Sequence, residues 1–569
     1  MRVPYYAIEN KSFNSMKLHL KLGIIVTIIT TTVLPGFLQA QEVPHLQKNG
    51  NAEQLMVEGK PYLILGGELH NSSSSNIEYL EPAWDQLKDM NLNTVLTALS
   101  WQLIEPQEGH FDFSLVDALL EDAREHDFKL IFLWFGSWKN GLSHYTPSWV
   151  KNDQDRFPRV RLNSGKATET ISPLSIEAKK ADAKAFSALM AHLKKVDSKE
   201  RTVIMMQVEN EVGVLGAARD HSQLANIEFN KQVPVDLIKG LKKYKNELQP
   251  EMIHYWGEKG YKETGTWSDI FGENHYADEA FMAWNYACYI NEVAKAGKAE
   301  YDIPMFVNAW IVQPEDTKPG DYPAGGPQSL VHDIWRIGAP NIDLQCPDIY
   351  LQNFSEIINM YHHPWNPLFI PESFSGMDGA ANAFYAIGKH AALGYSPFGI
   401  DTPVENPSES PLAKAYNILG QLTPVITEAQ ANGDISAFWL TKANNPQTVE
   451  LGGYKIEASL PDNMRTGELT AEKGYGLVIW KGEDEFILAG SNLNIVFLPD
   501  SDGKKMAGFD TVYEGKYING KWKPGRLLNG DNIMVNYNLS EQAAINRTGT
   551  AAKLETEPSV LQVKLYRFE

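Results

Sequence analysis

Two short stretches carry carboxylates where chemistry could use them. "VIMMQVENEVG" (203–213) runs apolar and then presents Gln207, Glu209, Asn210 and Glu211. "NPLFIPESF" (366–374) ends a second apolar run on Glu372. Carboxylates are seldom buried unless they are paired or used. Cleaving a glycosidic bond is one use that needs two of them. One, protonated, assists the leaving oxygen, and the other attacks the anomeric carbon or activates water. Spacing alone leaves both Glu209 and Glu211 open as the partner of Glu372.

Such a pair works only if the fold makes distant segments face each other. Eight apolar runs recur between residues 61 and 401, among them "PYLILGGELH" (61–70), "LNTVLTALSW" (92–101), "FKLIFLWFGSW" (128–138), "IPMFVNAW" (303–310), "NIDLQCPDIY" (341–350) and "GYSPFGID" (394–401). Helical patterns separate them, as in 77–91, 114–127, 175–196, 278–298, 379–394 and 410–433. Strands buried on both faces read as continuous apolar runs. The alternation predicts an α/β fold, a (β/α)8 TIM barrel over residues 41–432. A doubly wound open sheet is disfavoured, because "GGEL" after the first strand is not a phosphate-binding GxGxxG. The long stretch 212–300 must hold an insertion.

From residue 433 to 569 the grammar changes. Segments such as "ISAFWL", "YGLVIWKGEDEFILAGSN" and "VLQVKLYRF" are strand patterns joined by Gly, Asn and Asp, without intervening helices. This predicts a smaller all-β, sandwich-like domain, expected to brace the barrel rather than to bind sugar.

Barrel enzymes place their functional groups at the C-terminal ends of the strands. Here those ends carry Glu68 and His70, Ser100 and Trp101, Trp134 to Trp138, Glu209 to Glu211, Asn308 and Trp310, Asp348 and Tyr350, Glu372, and Asp401. Acids and aromatics dominate. Strand ends four and seven lie across the mouth of a barrel, which suits a facing pair on Glu372 and the "ENE" acids.

Bulk composition narrows the partners. The chain of 569 residues has a formal charge of −20 and 11% aromatic residues. That acidity argues against nucleic acid and anionic membrane surfaces, and the aromatics suit a neutral, partly flat ligand such as a sugar. Cys288 and Cys346 have no metal-ligand spacing, and no HExxH pattern occurs. No metal or cofactor is expected. Whether the two cysteines pair is left open. Residues 1–40 read as an N-terminal extension and secretory signal: Lys17 and Lys21, an apolar run from Leu22 to Leu34, and a cleavage-like "LQA" ending at Ala40. Met16 is a candidate start. The mature chain is expected to be exported, periplasmic or extracellular, without membrane insertion.

Three segments carry a family resemblance. "QVENEVG", "LNTVLTALSWQLIEPQEGHFDFS" and "LGGELHNSS" resemble the glycoside hydrolase family 35 β-galactosidases, of the retaining (β/α)8 clan in which an Asn-Glu pair ends strand four and a second Glu ends strand seven. The all-β tail resembles the accessory domain of a compact bacterial branch of that family. The resemblance implies Glu211 as general acid/base, Glu372 as nucleophile and Asn210 as a contact to the sugar 2-hydroxyl. It also implies Tyr350 as a hydrogen-bonding partner of the nucleophile, Trp138 and Trp310 as ring-stacking platforms, and a reach of Glu68 and His70 into the site. Two departures bear on the sugar. "FGSWKNG" (135–141) replaces the family's galactose-contacting segment, and Ala98 stands where a Tyr is common. The expected function is a retaining, exo-acting β-galactosidase releasing terminal β-galactose from plant-type oligo- or polysaccharides. The alternatives are the same chemistry on another β-sugar (a β-glucosidase or β-xylosidase) or a non-catalytic carbohydrate-binding protein.

Overall fold

Eight parallel strands form the sheet that positions the site. In the computed structural model, which describes residues 43–463, 466–499, 506–528, 533–534 and 551–568, they are β1 (Ile64–Glu68), β2 (Thr94–Ser100), β3 (Lys129–Lys139), β4 (Val203–Asn210), β5 (Met305–Trp310), β6 (Leu344–Ile349), β7 (Glu372–Ser373) and β8 (Gly394–Tyr395). Neighbours in space are neighbours in sequence, with β8 pairing back onto β1. Closure between β7 and β8 is thin. Pro371 has no N–H to give the ladder. Ile370 bridges Tyr395, Ser396 N–H donates to Ile370 O at 2.9 Å, and Phe398 N–H donates to Ser373 O at 3.1 Å. The expected barrel is the observed one. Runs seven and eight, apolar over eight or nine residues, pair over only two each.

The apolar runs alternate between two cores. In β3, Ile131, Leu133 and Phe135 fill the barrel interior, while Leu130, Phe132 and Trp134 face the helices. One helix follows each strand: α1 (Ala83–Asp89), α2 (Ser114–Glu125), α3 (Ile176–Asp197), α4 (His275–Glu300), α5 (His332–Gly338), α6 (Phe354–Tyr361), α7 (Gly376–His390) and α8 (Pro411–Asn432). The helix expected over 77–91 is divided into Ile77–Leu80 and α1 at Pro82. Four short helices between Gln223 and Phe271 form the expected insertion. An N-terminal three-stranded sheet (His45–Asn49, Ala52–Val57, Lys60–Tyr62) adds Leu55 and Val57 to the interior core.

The C-terminal region is two facing antiparallel sheets. The larger runs in the spatial order Ile435–Thr441, Lys473–Gly482, Glu485–Ser491, Ser559–Phe568, Met506–Ile518 and Lys521–Leu527. Its two faces are both apolar. Phe438, Val478, Leu488 and Leu561 point into the sandwich, while Ala437, Leu477, Ile487, Ala489 and Val560 join the core around the barrel helices. Gly388 in α7 permits the close approach, since a Cβ there would lie 2.7 Å from the Ala437 side chain. Phe384 of α7 meets Tyr475 at 5.0 Å, and Lys473 pairs with Asp378 at the start of α7. The described residues form one compact unit. Both cysteines are free. Among the described residues no helix is long and apolar enough to cross a membrane. The predicted signal segment lies outside the described residues.

Leu477 is fully buried at the seam between sandwich and barrel. Replacing it with Ala should cost about 2–5 kcal/mol. A thermal melt should show one transition at lower temperature. A second transition confined to the sandwich would mean that the seam does not couple the two parts.

Candidate active site

The mouth of the barrel is built around a kink in β3. Its pairing with β4 slips between Trp134 and Lys139, and the bulged residues need new partners for their N–H groups. Glu209 provides them: its carboxylate accepts Ser137 N–H at 3.0 Å and Trp138 N–H at 2.7 Å. Asp182 of α3 adds bonds from Trp134 Nε1 at 2.9 Å and Ser137 Oγ at 2.6 Å. Gly136 must be glycine here, because a Cβ would lie 2.6 Å from Glu209 Oε1 and 2.8 Å from Asp182 Oδ1. Burial, and then the charge of Asp182, push the Glu209 carboxyl well above its usual range. Glu209 is occupied in holding β3, and Glu211 is the acid left to face the mouth.

Glu211 and Glu209 both adopt left-handed backbone, with φ of 43° and 63°. Such geometry is uncommon outside glycine and concentrates at functional sites. Asn308 at the end of β5 helps to hold it, its Oδ1 accepting Glu211 N–H at 3.0 Å. The Asn308 amide also donates to Asp348 Oδ2 at 2.6 Å. Asn140 donates to the Glu211 carboxylate. Across the mouth, Tyr350 Oη donates to Glu372 Oε1 at 2.7 Å. Asp348 sits opposite Glu372 in the β6–β7 register. Oxygens of Glu211, Asp348 and Glu372 all lie within 4.8 Å of one another. By spacing alone the three could face one cation. Each already receives a neutral donor, from Asn140, Asn308 and Tyr350 respectively, as suits carboxyls that share protons.

Crowding sets the electrostatics. Burial first, and the Glu372 charge second, push Glu211 up to about 7, against the pull of Lys139 and of the hydrogen bond from Asn140. Glu68, buried at the end of β1, is raised well above the usual range by burial and then by Glu372, with Lys139 opposing. Burial, and then the Glu372 charge, raise the Tyr350 phenol, so it stays a donor.

Several of the buried polar atoms without a hydrogen-bond partner cluster at these strand ends: both oxygens of Glu68, both polar atoms of the Asn210 amide, Ser100 Oγ, Asp348 Oδ1 and Glu372 Oε2. Buried polar groups ordinarily find partners. A ligand dense in hydroxyls would satisfy this set.

Four of the residues expected from sequence come together: Asn210, Glu211, Tyr350 and Glu372. Trp310 ends β5 half-buried, in register with Asp348. His70 is turned to Asp401, its Nδ1 lying 2.8 Å from Oδ1. Trp138 is a correction. It is fully buried behind β3, with Nε1 donating to Ile171 O and Tyr286 and Tyr289 packed on its ring. A sugar cannot stack on it, because it shares the helix-facing side of β3 with Leu130, Phe132 and Trp134. Lys139 and Asn140, not singled out from sequence, take that place.

With the geometry in place, likeness to known proteins can be weighed. Residues 72–279 match the glycoside hydrolase family 42 model, described as beta-galactosidase. This is a different family from the expected family 35, in the same clan. Residues 412–540 match a domain of unknown function, DUF5597, whose match begins within α8. A curated beta-galactosidase from Xanthomonas manihotis is 28% identical over 185 residues, which cover 30% of this chain and 27% of that protein. The chain thus spans about a quarter of the length of the curated relative it matches. Among solved structures, the beta-galactosidase of Bacillus circulans sp. alkalophilus overlays with a TM-score of 0.43 at 14% identity, covering 64% of this chain and 57% of that one. The catalytic domain of the Paenibacillus polymyxa beta-amylase overlays with a TM-score of 0.42 at 13% identity, covering 61% and 94%. Residues 72–279 are β-galactosidase-like in sequence, at the level of the glycoside hydrolase clan.

A carboxyl titrating near 7 is directly observable. With 13C-labelled Glu carboxyls, one resonance should titrate with a midpoint near pH 7, far above the roughly 4.3 of a free Glu. That resonance should vanish in Glu211→Gln.

Proposed function

We propose that this chain is a retaining, exo-acting glycoside hydrolase that releases terminal β-galactose. The observation that carries this reading is the facing pair Glu211 and Glu372, with oxygens within 4.8 Å of each other. Retaining enzymes hold their carboxyls about 5–5.5 Å apart, and inverting enzymes leave about 6.5–9.5 Å for a water. Such closeness supports direct attack by one carboxylate rather than attack by an interposed water.

Each residue then has a task. Glu372, aligned by Tyr350, attacks the anomeric carbon and forms a glycosyl ester as the bond to the aglycone oxygen breaks. Glu211 gives its proton to that oxygen. The Glu372 charge is the second-largest cause of the raised Glu211 pKa, so esterification removes it. Glu211, having given up its proton, then stays ionised, and as the carboxylate it accepts a proton from the incoming water. Asn210, with its unpartnered amide, suits the 2-hydroxyl. Burial of Glu211 and Glu372, each under a tenth exposed, favours a pocket that takes one terminal sugar. The likeness of residues 72–279 to β-galactosidases supports galactose as that sugar. Lys139 lies in "FGSWKNG" (135–141), the segment that replaces the usual galactose contacts. This departure is why a glucoside or xyloside is the comparison to make.

We further propose export of the chain after cleavage near Ala40, on the strength of the N-terminal charge and apolar pattern. N-terminal sequencing of secreted protein should begin at Gln41. An uncleaved chain retained in the cytoplasm would refute it.

A panel of nitrophenyl glycosides tests the sugar, and NMR of the first-formed anomer tests retention. An α-anomer released first from a β-glycoside would overturn the mechanism. Glu372→Gly should abolish turnover, with azide restoring it as an α-glycosyl azide. Glu211→Ala should lose about 10²–10⁴-fold in kcat/KM on a phenyl glycoside and far less on a dinitrophenyl one, which needs no proton donor. For this variant the azide product should be the β-anomer, and an α-azide would reverse the two roles.

A further inference from the structure

Asp348 is the third carboxyl of the cluster, and the reaction as derived does not use it. It is the most enclosed of the three, 3% exposed against 6% for Glu211 and 7% for Glu372. Its Oδ2 accepts from Asn308, the same amide that fixes the Glu211 backbone. Its Oδ1 is buried and reached by no donor. The groups bearing on it are Glu372 from β7, Glu211 just beyond β4 and Glu68 from β1. To these are added Tyr350 just beyond β6, Cys346 within β6 and Tyr361 from α6. Lys139 from β3 offsets Glu211 and Glu68. Four acids thus crowd around one ammonium. Like charges this close in a buried site cannot all ionise.

We propose that Asp348 is a positioning residue for Glu211: it stays neutral, keeps its proton on Oδ1, and donates a hydrogen bond to the Glu211 carboxylate. This rests on the reading of Glu211 as the acid/base. Oδ2 is committed as an acceptor to Asn308, which leaves Oδ1 to carry the proton toward the other carboxyls. Burial first, and then the charges of Glu372 and Glu211, hold the Asp348 carboxyl well above its usual range. In the second half of the reaction Glu211 takes a proton from water. The water oxygen bonds to the anomeric carbon, and the ester bond to Glu372 breaks. Asp348 neither gains nor loses a proton in this step. Its bond stabilises and aims the ionised Glu211 that performs it.

The test compares kcat/KM against pH for the full-length wild type, Asp348→Asn, Asp348→Ala and Glu211→Ala, using the β-linked 4-nitrophenyl glycoside that the wild type hydrolyses fastest. Asn is a neutral donor of the same shape. In Asp348→Asn the alkaline limb should stay within about 0.3 pH unit of wild type. In Asp348→Ala, with the donor gone, it should rise by roughly 0.5–1 unit. A fall of a unit or more in Asp348→Asn would mean that Asp348 is charged in the wild type, and the proposal fails. An unmoved limb in Asp348→Ala overturns it equally. Should the Ala variant not fold, Asp348→Asn alone decides. Glu211→Ala separates the two ideas: an alkaline limb that persists there refutes Glu211 as the acid, whatever Asp348 does.

Discussion

Burying several carboxyls within a few ångströms of each other is the constraint to which the rest of this barrel answers. Each charged form loses water, and each repels its neighbours. The protein resolves this by dividing the acids by task. Glu209 is bound to backbone N–H groups and to the neighbourhood of Asp182. Glu211 is raised to the middle of the physiological range. Asp348 is tied to Asn308, and Glu372 accepts from a phenol. One ammonium, Lys139, offsets Glu211 and Glu68. Glu68, Glu211 and Asp348 all feel the Glu372 charge, whereas Glu209 answers to Asp182.

The kink in β3 serves the same end. A regular strand would have continued its alternation through residues 135–139. That alternation already places Trp138 on the helix side with Leu130, Phe132 and Trp134; the slip adds Ser137 to that side, where its hydroxyl meets Asp182 and Tyr289, and leaves Lys139 near the acids. The carboxylate of Glu209 replaces the lost ladder bonds. One acid of "VENEVG" is thereby spent on shape, which leaves its neighbour for chemistry.

Much of this was legible beforehand. Continuous apolar runs ending in polar residues identified the strands, because both faces of a barrel strand are buried. Glu209, Glu211 and Glu372 stood out as acids after such runs, and the choice of Glu211, like the place of Tyr350, followed from the resemblance. Trp138 and Lys139 were not legible. Between Trp134 and Lys139 the strand β3 advances five residues while β4 advances two, from Val208 to Asn210, and nothing local in "FGSWKNG" announces a bulge whose partner, Glu209, lies far along the chain. The brevity of β7 and β8 was likewise hidden, since Pro371 interrupts hydrogen bonding without interrupting the apolar pattern.

That brevity bears on the proposed nucleophile. Glu372 stands on the least hydrogen-bonded wall of the barrel, with only a two-residue ladder beneath it. What stiffens the wall from outside is α7, pressed against the sandwich through Gly388, Phe384 and the Lys473–Asp378 pair. The domain that supplies none of the clustered acids therefore governs how far one of them can wander. Drift in that seam over evolutionary time would register first as a loss of aim in bond formation, well before the barrel itself came apart.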